Sequence, residues 1–372
     1  MDKRSIIQII EDKYIYYMDL DTNIKIKLHN LYRVKEDEIF YKKLQKLLAT
    51  FRDPHTKLIK SKEYFLPICL AIVDKEIVVV ENSKEYGKIK KGFVLKKIDY
   101  IDINEILKEY FSGTDSVNLK LKRILEYLAA SEKDKEIILT FETAMGKKIE
   151  EKIDYIRMKH YMYDIKKYFD ILEKHKKNIE RKYNVSYYYC SSLMNDLEIN
   201  TLLYNLKNRV HNNDIILDIR NNIGGKIELA IKLTEFFISS KKVFFLKSRD
   251  HIKKFQLNPQ KSEVSDKNIG ILFNGLTSSS LEFIFLRLIK DEKNIVFLGT
   301  STCGMNDVAS VYKLNNNYVM TLTTKQYVDD MGEKMKIRNI EPHIYIKDND
   351  TNNIGNDIQL IKAIEFLKNK KE

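Results

Sequence analysis

The sequence predicts an α/β fold: a mixed, largely parallel sheet flanked by helices in the C-terminal half, preceded by a helical N-terminal region and a small β module. Three patterns predict it. From about residue 184, short apolar runs alternate with amphipathic helical ones. Residues 64–111 instead alternate brief β-like runs with turn signals, and residues 35–51 carry apolar side chains at helical spacing. Alternation of strand and helix is the mark of a layered α/β sheet, because each crossover helix returns the chain to start a parallel neighbour. These patterns divide the chain into residues 1–60, 61–160 and 161–372.

Taken in order, "MDKRSIIQIIEDKYIYYMDLD" mixes apolar residues with charge and lacks a small-residue cleavage site, so it reads as structure and not as a signal peptide. In "KEDEIFYKKLQKLLATF", Ile39, Phe40, Leu44, Leu47, Leu48 and Phe51 recur at helical spacing and stop at "RDPHT", which delivers His55 just beyond a helix end. "FLPICLAIV", "EIVVVE" and "GFVLKKI", followed by a short helix in "INEILKEYF", resemble a small PDZ-like module. Residues 116–130 are expected to be helical, "EIILTFET" and "KKIEEKIDYI" to form a hairpin, and residues 163–183 to form an amphipathic helix, with a domain boundary near 160. The later alternation runs through "DIILDI", "KIELAIKLTEFFISS", "KVFFL", "NIGILF", "SLEFIFLRLIKD" and "NIVFL".

Composition narrows the function classes. The 372 residues are 44% apolar and only 12 are Gly and 4 Pro, enough to build a large core and unlike a disordered or fibrous chain. Net charge is +12, from 65 basic and 53 acidic residues, but the basic residues are interspersed with acidic ones, as in "EKHKKNIERKY". That reads as solvated surface, so no nucleic-acid partner is expected. No window approaches the ~18 unbroken apolar residues of a membrane span. Cys69, Cys190 and Cys303 are odd in number and widely spaced, giving neither a disulfide framework nor a metal cluster. The expected setting is the cytoplasm, with no metal and no cofactor.

Two segments carry chemistry. In "ILDIRNNIGGKIELA" a strand ends at Asp218, and Gly224 and Gly225 open a helix, where backbone N–H groups suit a developing negative charge; an ordinary tight turn fits the same residues. In "IGILFNGLTSSSLEFIF" a strand runs into a Thr/Ser cluster that starts a helix. Such a turn exposes a serine hydroxyl at the end of a sheet, and it equally describes a helix cap in which Glu282 closes a capping box with Ser279.

Asp218, Ile219, Arg220, Asn222, Gly224 and Gly225, then Asn274, Thr277, Ser278, Ser279, Ser280 and Glu282, then Gly299, Thr302 and Gly304, and finally Asn339, Ile340, Pro342 and His343, follow four motifs in order. In them the chain resembles the C-terminal-processing (tail-specific) serine peptidases, whose patterns are D-L-R-x-N-x-G-G, N-x-x-[ST]-A-S-A-x-E, G-x-x-T-x-G and G-I-x-P-D. The resemblance covers about residues 184–346 and implies a ClpP/crotonase-like catalytic domain. It also implies that Ser279 is the nucleophile, with backbone N–H groups of Gly224 or Gly225 and of Ser280 as the oxyanion hole.

One branch of the family takes its base from a lysine after the third motif; that position is Met305, whose thioether is no useful proton acceptor. The tricorn-like branch uses a histidine from an upstream D-x-H-T segment, matched by Asp53, His55 and Thr56, so His55 is the implied base. Its assisting glutamate aligns with Lys336, leaving Glu333 and Glu341 as neighbouring acids for a third member. The substrate implied is a peptide or unfolded protein. A homo-oligomer is left open, and the alternative function is a catalytically silent peptide-binding protein on the same fold, suggested by Met305, Lys336 and His343.

Overall fold

The structure, a computed structural model, describes residues 1–53, 55–60, 62, 64–73, 75–82, 86–109, 117–157, 180–208, 210, 214–260, 264, 266–305, 307–335, 339–347 and 357–369. Most of the expected 163–183 helix, the expected boundary near 160, and Lys336 lie outside the described residues. The chain forms two compact units: Met1–Ser61 with Val243–Gln256 and Met305–Ile337, and Lys62–Lys242 with Leu257–Gly304 and Arg338–Glu372.

The first unit pairs three helices with an antiparallel sheet. The Lys3–Lys13 helix is capped by Asp2, whose carboxylate accepts the Ser5 N–H at 3.0 Å. Thr22–Asn30 and Asp37–Ala49 follow, the last burying Phe40, Tyr41, Leu44, Leu47 and Leu48, while Ile39 turns outward at 40% exposed. The 3.6-residue period sets that stripe, and Ile39 falls off it. The stripe packs with Ile6, Ile10 and Leu28 against Leu58, Met320 and Leu322 of the sheet. There the long Tyr318–Val328 strand pairs antiparallel with Asp307–Lys313, Lys57–Lys60 and Lys242–Lys247. The run "KVFFL" therefore leaves the parallel layer in which the alternating pattern placed it. Apolar content makes a strand, but it does not say which sheet receives it.

The second unit holds two main sheets. Strands Ile68–Val73, Glu76–Asn82, Val94–Ile98, Glu136–Glu142 and Lys148–Asp154 form an antiparallel sheet in that order, with Leu121, Ile124 and Leu128 of the Val117–Ala129 helix in its core. The expected 136–156 hairpin thus extends the same sheet. Strands Ser186–Tyr189, Asp214–Asp218, Asn268–Phe273, Ile295–Gly299 and Ile344–Tyr345 form the other, every adjacent pair parallel. The three interior strands are near-continuous apolar runs, as a sheet covered on both faces requires. Ile216, Leu272, Val296 and Leu298 pack against Leu360, Ala363, Ile364 and Leu367 of the C-terminal helix Ile358–Asn369. The chemistry-bearing loops leave the carboxyl ends of the second and third parallel strands, where open α/β sheets place ligands.

Candidate active site

The first loop begins at Asp218 and is tied down by its own amides. The Asn222 side chain donates to the Cys190 carbonyl at 3.0 Å and accepts the Gly224 N–H at 2.9 Å. Asn221 sits at φ +62° and donates its N–H to the Asn274 carboxamide at 3.0 Å, joining this loop to the next. The Asn222 carbonyl then accepts the Ser278 N–H at 3.1 Å.

The second loop carries four hydroxyl residues, and their environments differ. Thr277 and Ser278 are fully buried and Ser280 nearly so, whereas Ser279 is partly exposed. Thr277 donates its hydroxyl to the Ile219 carbonyl at 2.9 Å. Ser279 adopts φ +62°, a left-handed conformation that costs a residue with a Cβ about 1–2 kcal/mol and concentrates at functional turns. What holds it there is Glu282, 1% exposed, which accepts the Ser279 N–H at 2.9 Å through one oxygen and the Gly304 N–H at 2.6 Å through the other. The back-bond of a capping box is therefore present, but the serine it caps is forced into a left-handed turn that capping does not need. Beyond it the chain continues as a π-helix, Leu281–Leu286, before α geometry resumes at Arg287; π turns cluster at functional sites.

Gly224 is in direct contact with this turn. A Cβ on it would stand 2.6 Å from the Ser278 carbonyl oxygen, 2.8 Å from the Ser279 Cβ and 3.2 Å from the Ser280 nitrogen. Ser279, Ser280, Gly224 and Gly225 are thus brought together. The two glycine amides are already engaged, however: Gly224 N–H by Asn222, and Gly225 N–H by the Ser280 hydroxyl at 3.0 Å, which in turn donates to the Gly225 carbonyl at 3.1 Å.

The last two motifs brace one another. Thr302 accepts the Ile340 N–H on its hydroxyl at 2.8 Å, and Asn339 donates to the Thr302 carbonyl at 2.6 Å. His343 accepts the Phe297 N–H on Nδ1 at 2.9 Å and stacks on the Phe297 ring, a structural use of the position. Glu341 is exposed and accepts the Ser301 hydroxyl at 2.5 Å.

His55 belongs to the first unit, in the turn between the Asp37–Ala49 helix and the Lys57–Lys60 strand, and is 9% exposed. Asp53 organises that turn, accepting the His55 N–H at 2.9 Å and the Thr56 hydroxyl at 2.6 Å; Thr321 donates its hydroxyl to the His55 carbonyl at 2.6 Å. Burial, together with the charge and hydrogen bond of Asp53, pushes the Tyr14 phenol far above its ordinary range. Nearby, burial raises the Asp307 carboxyl, which hydrogen-bonds Tyr16. Glu333 is exposed in a turn where its N–H meets Asp329 at 2.8 Å. Asp53, which the motif names without a role, is the acid that shapes the His55 backbone.

Two further residues act on the serine loops. Lys122, on the Val117–Ala129 helix, donates to the buried Ser278 hydroxyl at 2.8 Å; a lysine in an amphipathic helix reads as surface, so only its burial at 6% exposed reveals it. Asp357, just before the C-terminal helix, accepts from Arg220 at 2.6 Å. Burial pushes the Cys190 and Cys303 thiols up to about 12, which leaves both unreactive as nucleophiles near neutral pH. Among the described residues no group of His, Cys, Asp and Glu is arranged to hold a metal ion, and no helix is long and apolar enough to cross a membrane.

Comparison with known proteins places this geometry. A carboxy-terminal-processing protease of Bartonella bacilliformis is 26% identical over 133 residues, 36% of this chain and 30% of that protein. The chain therefore spans less than a third of the length of that curated relative. Among solved structures, mature CPAF superposes with a TM-score of 0.66 at 13% identity, covering 99% of this chain and 95% of that one. The photosystem II D1 C-terminal processing protease gives 0.57 at 14% identity, covering 98% and 96%. At these identities the superpositions establish a shared mixed α/β fold. Residues 189–346, which contain both serine-turn loops and the two motifs that brace them, match peptidase family S41. Over those residues the chain is thus similar to peptidase family S41.

Proposed function

We propose that the protein is a serine peptidase that cleaves peptide or unstructured protein substrates through an acyl-enzyme on Ser279, with His55 as base. The observation that carries this reading is Ser279 itself, the one partly exposed hydroxyl in an otherwise buried turn and held at φ +62°. On this reading His55 takes the Ser279 proton as Oγ attacks the peptide carbonyl. The C–N bond breaks as the proton passes to the leaving amine, and water then hydrolyses the ester. The antiparallel sheet of residues 68–154, read as PDZ-like, is proposed to hold an extended substrate by strand addition, Lys148–Asp154 being an edge strand. The odd number and wide spacing of Cys69, Cys190 and Cys303 suit a reducing cytoplasm.

The test is labelling by a fluorophosphonate probe and cleavage of an unfolded polypeptide, for wild type, Ser279→Ala and His55→Ala. Both variants are expected to stay folded by circular dichroism and to lose about 10⁴-fold or more in rate. Equal labelling of wild type and Ser279→Ala would sink the assignment, and full activity of His55→Ala would demand another base.

The bonds to Gly224 and Gly225 favour a second reading, a peptide-binding protein that no longer turns over, because the amides proposed to receive the oxyanion are occupied. One substitution tests whether that occupancy matters. Ser280→Ala removes the hydroxyl that occupies the Gly225 N–H, and one freed oxyanion donor is typically worth about 100- to 1000-fold. For a working peptidase we expect labelling of Ser279 to accelerate by about 10-fold or more; unchanged labelling would show that Gly225 does not receive the oxyanion.

A further inference from the structure

The two residues flanking Ser279 are alanine in the family pattern and serine here, and both hydroxyls are used. Ser280 engages Gly225, and Ser278 receives a buried lysine from a helix far away in sequence. We infer that Lys122 is a positioning residue for the nucleophile turn, fixing Ser278 and supplying the fixed positive charge beside Ser279; the inference rests on Ser279 being the nucleophile.

The geometry builds from the helix outward. Val117–Ala129 turns Leu121, Ile124 and Leu128 into the core of the antiparallel sheet, and Lys122, adjacent to that stripe, is itself only 6% exposed. Its stem is packed while its Nζ reaches Ser278 Oγ at 2.8 Å, in a residue of which nothing is exposed. Desolvating an ammonium is costly, so its burial at the serine turn marks a specific use. The same charge is felt at Cys303, whose thiol also senses Glu282, the residue that holds the Ser279 N–H, and Glu126 and Arg123 of the Lys122 helix; Cys303 donates its own N–H to the Thr277 carbonyl at 2.9 Å. Lys122 and Glu282 therefore flank the turn with opposite charges, one fixing residue 278 and the other residue 279. A cation in a poorly solvated site stabilises negative charge that develops one residue away.

The experiment measures the fluorophosphonate labelling rate of Ser279 against pH in wild type, Lys122→Met, Lys122→Arg and Ser278→Ala, with Ser279→Ala as the blank. Met keeps the stem and removes the charge; we expect at least a 10-fold slower rate. Because a cation lowers the pKa of the group that must lose a proton, its removal should also move the pH profile upward, a change that loosened packing alone would not produce. Arg should recover most of the rate and the original profile. Ser278→Ala keeps the charge and removes its anchor, so it should slow labelling with the profile nearly unmoved, and it tests the idea if Lys122→Met fails to fold. Wild-type rate and profile in Lys122→Met, or in Ser278→Ala a wild-type rate, would overturn the inference while leaving Ser279 as nucleophile. If wild type labels no faster than Ser279→Ala, the nucleophile assignment falls and this inference falls with it.

Discussion

Gly224→Ala is expected to cut fluorophosphonate labelling of Ser279 by about 100-fold or more while the far-ultraviolet spectrum stays native. The methyl group has nowhere to go. It would stand 2.6 Å from the Ser278 carbonyl oxygen, a backbone atom, and Gly224 is at φ +88°, so strain adds to the clash. The turn it strikes cannot simply retreat, because the Ser278 N–H is held by the Asn222 carbonyl at 3.1 Å and the Ser279 N–H by Glu282 at 2.9 Å. Relief must come from shifting Ser279 and the Ser280 amide together, which displaces the proposed nucleophile and oxyanion donor at once. A misplacement of about 1 Å is enough for a 100-fold loss. Stability should fall by only about 1–3 kcal/mol, typical of a local steric insult. Labelling of Gly224→Ala at the wild-type rate would mean that this contact is not part of the reacting geometry.

The sequence displays this site unevenly, and the reasons are physical. Apolar runs such as "DIILDI" and "NIGILF" announce buried parallel strands because both faces of such a strand are covered, and they occur at Asp214–Asp218 and Asn268–Phe273. The helix over 35–51 is legible by its period and occurs at Asp37–Ala49. The destination of "KVFFL" is not legible, since pairing with Tyr318–Val328 is decided by contacts some 80 residues away in sequence. The Asp307–Lys313 and Tyr318–Val328 pair is hard to read because its strands carry few continuous apolar residues; the polar Asn315, Asn316 and Asn317 between them are its turn signal. Within the site, the motifs name Ser279, Gly224 and Glu282, but its left-handed backbone and the double grip of Glu282 appear only in three dimensions. Lys122 could not be read at all: nothing local distinguishes a lysine that points inward from its exposed neighbours on an amphipathic helix.

Arg220→Ala is expected to destabilise the fold by about 3–5 kcal/mol at pH 7, the usual cost of stripping one partner from a buried ion network. Arg220 Nη2 lies 2.5 Å from Asp218 and 2.6 Å from Asp357, and Nη1 reaches Asp357 at 3.0 Å and Gln359 at 3.2 Å. Asp218 is 1% exposed and also accepts the Tyr187 hydroxyl at 2.8 Å, so without the guanidinium a buried carboxylate would be stranded beside the partly buried one of Asp357. Asp357 meanwhile accepts the Leu360 N–H at 3.0 Å at the start of the C-terminal helix, so the loss would spread to the helix that covers the sheet. The pH dependence follows from the same contacts. Burial would raise the Asp357 carboxyl, but the charge and hydrogen bond of Arg220 outweigh it and hold it below its ordinary value. A folded pKa below the unfolded one contributes stability above the ordinary carboxylate range, about pH 4, and loses it as pH falls through the folded value. Denaturant midpoints should therefore differ most between wild type and Arg220→Ala near pH 7 and converge below about pH 4, as the wild type loses the contribution of the Arg220–Asp357 pair. A difference under about 1 kcal/mol at pH 7, or one that does not shrink on acidification, would show that this arginine does not carry the charge balance. Because Arg220 sits two residues before Asn222, which holds both Gly224 and Ser278, the same variant should loosen the serine turn, so stability and labelling should fall together here, whereas Gly224→Ala separates them.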